Sequence, residues 1–211
     1  MKSKDIPIFV TGAERSGSSI IARIFSICGA WTGGCDNMMR NKQLKKLVDD
    51  YYTVIEKDVK GQNPLPDTQK LFIPTEWRDG VERIKNNEYK VWLYKDSRLC
   101  QTWPIWHHAF PEARWIIVRR RTGDIITSCM KTYFMNEYDD EEGWKAWVKY
   151  HEQRFVEMID AGVNCKVIWP ERMVQGDYRQ IYEMLEWCGL RWRSEIVKQI
   201  DPLFEKSRIQ I

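Results

Sequence analysis

The chain has 211 residues, 43% hydrophobic and 30% charged, with a formal net charge of +3. That length is enough for one domain with a sizeable core, and a near-neutral balance excludes a general polyanion binder, so any basic site has to be local. No apolar run reaches the roughly 20 residues of a membrane span, and the opening MKSKDIPIFV is too short and too charged for a signal peptide. Six cysteines are scattered with no C-x-x-C pair. That favours reduced thiols in a cytoplasm over a zinc site or a disulfide framework. With only three histidines, two of them adjacent, a histidine metal centre is not expected. The 11 tryptophans read first as large core fillers.

Ile6 to Val10 reads as a buried strand. A small-residue loop follows, Thr11-Gly12-Ala13-Glu14-Arg15-Ser16-Gly17, and an apolar-periodic helix runs from Ser18 to Cys28. Strand, glycine loop and helix together present free N–H groups and the positive end of a helix dipole to one point, an arrangement suited to an anion. The spacing Gly12-x4-Gly17 copies a nucleotide-binding phosphate loop, yet the position where that motif carries lysine is Ser18, and the nearby cation is Arg15. Asn37 to Lys57 reads as an amphipathic helix. Lys60 to Pro74 reads as a surface loop with three prolines, placed to cover a site. Glu76 to Asn86 is a weak helix, Tyr89 to Tyr94 a second strand, Trp103 to Phe110 a short helix stopped by Pro111. Arg114 to Val118 is a third strand, with a helix from Thr122 to Tyr133. Glu141 to Ile159 is a long amphipathic helix. Cys165 to Trp169 is a fourth strand, Tyr178 to Cys188 a helix stopped by Gly189, and the tail is helical, then irregular. Strands alternating with helices predict a single α/β domain: a central parallel sheet flanked by helices in a P-loop-like, three-layer architecture.

Ligands of such sheets sit at the carboxyl ends of the strands. The first strand end offers Glu14, Arg15, Ser16, Gly17, Ser18 and Ser19. The second offers Lys95-Asp96-Ser97-Arg98. The third offers Arg119-Arg120-Arg121, then Asp124 and Ser128, and the fourth Trp169, Glu171 and Arg172. Three of the four ends are basic although the chain is nearly neutral. Guanidinium groups bind phosphate through paired donors, so the concentration predicts a ligand with more than one anionic group. The bland alternatives are surface charges at Lys95 and Arg98, a helix cap or back-bond at Ser128, and a core role for the His107-His108 pair.

FVTGAERSGSSII resembles the loop that holds the 5′-phosphosulfate in sulfotransferases using 3′-phosphoadenosine 5′-phosphosulfate (PAPS). There too the cation precedes Ser-Gly, as Arg15 does. RRRTGDIITS is similar to that family's 3′-phosphate motif, an arginine at a strand end with a serine eight positions on; Arg120 and Ser128 fit it. KDSRLCQTWPIW is similar to a KDPR segment of bacterial members, and VIWPERMVQGDYRQIYEMLEWCGL resembles the late strand and helix of the fold. The resemblance implies a fold shared with nucleoside kinases, PAPS or its product PAP as co-substrate, and no metal. It implies nucleotide contacts at Glu14, Arg15, Ser16, Gly17, Ser18, Ser19, Arg120, Ser128 and Trp169. The chain departs from the pattern at Glu14, Ser97 and Ile20, lacks the glycine-rich closing motif near the C-terminus (Lys206, Ser207 and Arg208 are weak substitutes), and has no histidine where animal members place their base.

Sulfuryl transfer moves a singly charged group in line from a phosphate to an acceptor hydroxyl or amine, so the protein mainly positions reactants and stabilises the leaving oxygen. Arg15 and Lys95 are expected to serve the leaving phosphate. A carboxylate is expected to take the acceptor proton, with Asp96 first, then Asp36, Glu14 and Glu76, and His107 and His108 behind them. The expected acceptor is a small molecule or carbohydrate, not nucleic acid, with Trp31, Trp77, Trp103, Trp106 and the Pro64–Pro74 loop as candidate pocket walls. The rival readings are a P-loop kinase, disfavoured by Ser18, a non-catalytic nucleotide-binding member, and a plain scaffold, which leaves the basic strand ends unexplained.

Overall fold

In the computed structural model the described residues are 6–85 and 91–197. Four strands, β1 (Ile8–Thr11), β2 (Leu93–Lys95), β3 (Arg114–Val118) and β4 (Cys165–Ile168), form one sheet in the order β2-β1-β3-β4. All three pairings are parallel; Val10 lies opposite Lys95 on one side and Ile116 on the other. The helices are α1 (Ser18–Ile27), α2 (Lys42–Val54), α3 (Thr75–Lys85), α4 (Trp103–Ala109), α5 (Thr122–Met130), α6 (Glu141–Asp160), α7 (Glu171–Val174) and α8 (Arg179–Trp187). The predicted α/β architecture holds.

Strand alternation sorts the core into two layers. Ile8, Val10, Ile116, Val118 and Ile168 pack with α1 and α8 on one face. Phe9, Tyr94, Trp115 and Ile117 pack with α2, α3, α4 and α6 on the other. Phe9 is the hub of that second layer, with the rings of Trp92, Trp106, Phe110 and Trp115 edge-on around it at 4.8–5.6 Å. Trp77 and Trp106 are buried in this layer, and Trp31 and Trp103 pack against it. The tryptophans offered by the sequence as pocket walls therefore serve the core.

Boundaries differ from the sequence reading where side chains redirect the backbone. The long helix expected from Asn37 begins at Lys42, because Asn41 turns its side chain to accept from the N–H groups of Gln43 and Leu44 and caps the helix. Residues 34–41 instead form a tight loop. The second strand starts at Leu93; the expected start at Tyr89 lies outside the described residues, as do Lys206, Ser207 and Arg208. The segment expected to cover a site is pinned down: Gln62 is buried, and its amide bridges to the backbone of Phe134, Asn136 and Glu137.

A buried polar network links that segment to α6. Tyr52 donates to Gln101, whose amide group donates to the Gly61 carbonyl and to His151 Nε2, while His151 Nδ1 donates to the Trp147 carbonyl. These partners fix His151 as the neutral Nδ1–H tautomer. Burial pushes its pKa down to about 4 from an ordinary 6.5. The folded state therefore binds fewer protons than the unfolded chain between those values, so stability is full above pH 6.5 and falls as pH drops toward 4. Replacing His151 with Gln removes this titration. Urea denaturation from pH 7 to pH 4 should show a stability slope in the native chain that is largely flattened in His151→Gln; parallel slopes would assign the acid sensitivity elsewhere.

Candidate functional site

The chain steps from β1 to β2 on one side and to β3 and β4 on the other, so the carboxyl ends of β1, β2 and β3 border the reversal point where such sheets bind ligands. The loop after β1 fits this space because of Gly12. A Cβ there would lie 2.4 Å from the Val118 carbonyl oxygen and 2.7 Å from Ser16 Oγ. Gly17, at φ 93°, then opens α1 with no side-chain cap. The N–H groups of Gly17, Ser18 and Ser19 have no backbone acceptor among the described residues. Ser16 Oγ is buried without a hydrogen-bond partner. Unpaired donors around an uncapped helix start form an anion cradle. Ser18 is buried at the head of α1, while Ser19 Oγ donates to the Met38 carbonyl at 3.2 Å and ties the 34–41 loop to the cradle.

Arg15 sits in the loop with a left-handed backbone, φ 68°. Its Nε donates to Ser128 Oγ at 2.8 Å, and its carbonyl accepts from Arg120 Nη1 at 3.2 Å. The three residues singled out from distant parts of the sequence thus meet. Burial lowers the Arg15 pKa, the Glu14 charge opposing it. Arg120 is half-buried, with Asp124 and Glu171 carboxylates at 3.9 and 3.8 Å from its Nε. Trp169 is half-buried, with the Arg119 guanidinium 5.0 Å from its ring centre. Arg119 also pairs with Glu152.

The turn after β2 divides its side chains. Asp96 is fully buried and accepts four hydrogen bonds: from the Tyr94 hydroxyl, from the Arg98 backbone N–H, and from Arg98 Nε and Nη2. Burial opposes its ionisation, but the Arg98 charge and donors outweigh burial and hold the carboxyl well below the usual range. Arg98, also buried, reaches on to Asp49 of α2 and to the Val59 carbonyl, each at 2.6 Å. Lys95 is buried and makes no hydrogen bond or ion pair with the described residues. Its pKa is lowered by burial, with Glu14 and Asp96 opposing. Glu14 is buried and accepts from Ser97 Oγ at 2.9 Å.

The other carboxylates and histidines offered as bases are placed differently. Asp36 accepts from the N–H groups of Met38 and Arg40, each at 2.9 Å, and from Arg40 Nε at 2.8 Å. Burial raises its pKa, but these donors prevail and the net shift is downward. Glu76 is exposed in the first turn of α3, and His108 is exposed on α4. His107 is half-buried beside the Trp103 ring. Sequence reasoning missed Arg40. Burial lowers its pKa, yet the combined charges of Asp96, Glu14 and Asp36 win and raise it, which places a third cation in the site's field beside Arg15 and Lys95. It stands in MMRNKQ, a stretch with no motif, and only the folding of the 34–41 loop onto α1 brings it in. Among the described residues no three His, Cys, Asp or Glu side chains are grouped to hold a metal ion.

A family model described as "Sulfotransferase family" matches residues 7–194. No curated protein matches the chain. Among solved structures, sulfotransferase STF1 from Mycobacterium tuberculosis is similar at 11% identity and a TM-score of 0.47, over 93% of this chain and 70% of that one. Retinol dehydratase in complex with androsterone and inactive cofactor PAP is similar at 11% identity and a TM-score of 0.44, over 95% of this chain and 64% of that one.

Removing one partner of a buried ion pair strands the other charge. Asp96→Ala should lower unfolding stability by about 3 kcal/mol in a denaturant titration, part of the loss being limited by the Asp49 contact. A change inside the ~0.5 kcal/mol typical of surface substitutions would remove the pair from its structural role.

Proposed function

The chain belongs to the sulfotransferase family, and from that premise we propose that it transfers a sulfuryl group from PAPS to a hydroxyl or amine of a small-molecule or carbohydrate acceptor. One observation carries the reading: Arg120 and Ser128, each more than a hundred positions beyond Arg15, meet it at an uncapped helix start that holds an unpartnered buried hydroxyl. A nucleotide with phosphates at both ends of its ribose has two anionic groups to place, and this region supplies a cradle for one and an arginine–serine pair for the other. The buried thiols are scattered, which keeps the cytoplasm as the proposed compartment.

PAPS supplies the activated sulfuryl group. The N–H groups of Gly17, Ser18 and Ser19, with Ser16 Oγ, hold the 5′-phosphate in this assignment. The guanidinium of Arg15 keeps its Nη donors free of Ser128, so it can face the leaving phosphate. Among the described residues the Lys95 ammonium has no hydrogen-bond or ion-pair partner, and an incoming anion would relieve the cost of its burial. Arg120 and Ser128 take the 3′-phosphate, and Trp169 offers a ring edge to the adenine. Asp96 has no acceptor capacity left for a substrate proton. We assign it to positioning: it fixes the turn that aims Lys95 and Ser97 at the loop. Charge stabilisation of this kind needs no further group on the transferred sulfuryl, because the moving group bears a single charge.

The nucleotide preference is directly measurable. At a hundred times its dissociation constant, PAP should raise stability by about 2.7 kcal/mol in a thermal shift assay, and ATP with magnesium should give much less. The reverse preference would move the chain to the kinase reading. Arg120→Ala should weaken PAP by tenfold or more and adenosine 5′-phosphate by a smaller factor, because Arg120 also holds the Arg15 carbonyl. Ser128→Ala should weaken both, because Ser128 also fixes Arg15; a Ser128→Ala effect confined to PAP would show that the Arg15 contact plays no part in binding.

A further inference from the structure

Glu14 is left over by the phosphate-binding assignment. A carboxylate next to an anion cradle weakens anion binding by like-charge repulsion, so the nucleotide alone gives no reason for it. Its surroundings give one. Ser97 Oγ holds Glu14 Oε1 at 2.9 Å, and Glu14 makes no other hydrogen bond or ion pair with the described residues, which leaves Oε2 unengaged. Of the competing carboxylates, Asp96 accepts four hydrogen bonds and is saturated, and Asp36 is committed by three to closing its own loop. Glu14 precedes Arg15 in the chain, and Ser97 lies two residues beyond the unpaired Lys95. Glu14 therefore lies within the electrostatic reach of both cations assigned to the leaving phosphate, Arg15 and Lys95.

We propose that Glu14 is the general base that deprotonates the acceptor, with Ser97 as its positioning residue. This rests on the sulfuryl-transfer reading above. As the acceptor oxygen bonds to sulfur, its proton passes to Glu14 Oε2. The bond from sulfur to the bridging oxygen breaks, and its electron pair leaves on the 5′-phosphate, which Arg15 and Lys95 stabilise. Nothing is oxidised or reduced, and the proton on Glu14 returns to solvent after product leaves. Ser97 fixes one oxygen so that the other is presented in a single orientation, as general-base chemistry requires.

The test uses the full chain with labelled PAPS, offering water and unsubstituted phenol, whose hydroxyl stays protonated at neutral pH, as acceptors and reading release of PAP. The charged and titratable groups that feel Glu14 are Arg15 on its own loop, Lys95 at the end of β2, Arg40 before α2, Cys129 on α5 and His151 on α6. Glu14→Gln should bind PAP as well as the native chain or better, yet release PAP from PAPS about 10²–10⁴-fold more slowly, and it should lose the acidic limb of the pH–rate profile. Glu14→Asp, which keeps the charge but withdraws the oxygen by one methylene, should retain that limb at a rate reduced tenfold or more; it also serves if Glu14→Gln does not fold. Ser97→Ala should lower the rate with PAP affinity unchanged. A Glu14→Gln chain that binds PAP and keeps its rate and acidic limb overturns the assignment. A native chain that neither binds PAP nor releases it from PAPS overturns the sulfuryl-transfer reading itself. A native chain that binds PAP and releases none makes it a non-catalytic binder, and the base falls with it.

Discussion

The buried Asp96–Arg98 pair is the interaction on which the site depends. Two opposite charges lie buried just past the end of β2, each costly to desolvate alone. They are tolerated because nearly every donor and acceptor is used: Tyr94 and the Arg98 backbone on the carboxylate, Asp49 and the Val59 carbonyl on the guanidinium. The pair thereby joins β2, α2 and the segment after α2. Backbone links complete the clamp, since Asp96 N–H donates to the Val10 carbonyl and Thr11 Oγ1 to the Ser97 carbonyl. With Asp96 and Arg98 directed inward, their neighbours Lys95 and Ser97 are left to the side of the loop after β1. One ion pair in the core thus decides which side chains the site receives.

Much of this was legible in the sequence because the signals were local. The run Ile8–Val10 followed by Gly12 and Gly17 announces strand, loop and helix through periodicity and glycine spacing alone. RWIIV is too apolar and too short to be anything but a buried strand, and its bounds were right to the residue. That the strand ends converge followed from a parallel sheet; the choice of Arg15, Arg120 and Ser128 among their residues followed from the resemblance to sulfotransferase motifs. Asp96 was the harder residue. KDSR reads as four charged or polar groups of equal claim, and nothing in that tetrapeptide says which will be buried. The choice is made by Asp49 and the Val59 carbonyl, partners of Arg98 that arrive through tertiary packing. Arg40 was invisible for a similar reason. Its place is set by Asn41 capping α2 and by Asp36 closing the loop before it, both interactions of side chains with backbone that periodicity does not report.

The charges near the loop form an alternating set rather than a plain basic patch. Arg15, Lys95 and Arg40 are interleaved with Glu14, Asp36 and Asp96, and the electrostatic influence of each acid reaches more than one cation. A purely cationic pocket of this burial would be costly to fold without its ligand, because like charges would repel in a medium that screens poorly. Interleaved acids keep the empty site stable. They also divide the labour: Asp96 and Asp36 are consumed by Arg98 and Arg40, and Lys95 is left as the cation without a dedicated partner.

Arg15 shows how that division becomes geometry. A lysine at this position would bring a compact charge on a flexible stem, with no planar fork to hold in place. The arginine is held at two points. Its Nε is engaged by Ser128, which orients the guanidinium plane, and its carbonyl is engaged by Arg120, which braces a left-handed backbone that costs a non-glycine residue roughly 1–2 kcal/mol. Arg120 and Ser128 therefore shape the loop after β1. In the proposed assignment, the two ends of a bisphosphate nucleotide would be sensed by residues already in contact with one another. Coupling of that kind favours a ligand that satisfies both ends at once over one that fills the cradle alone, and it requires no movement of the sheet.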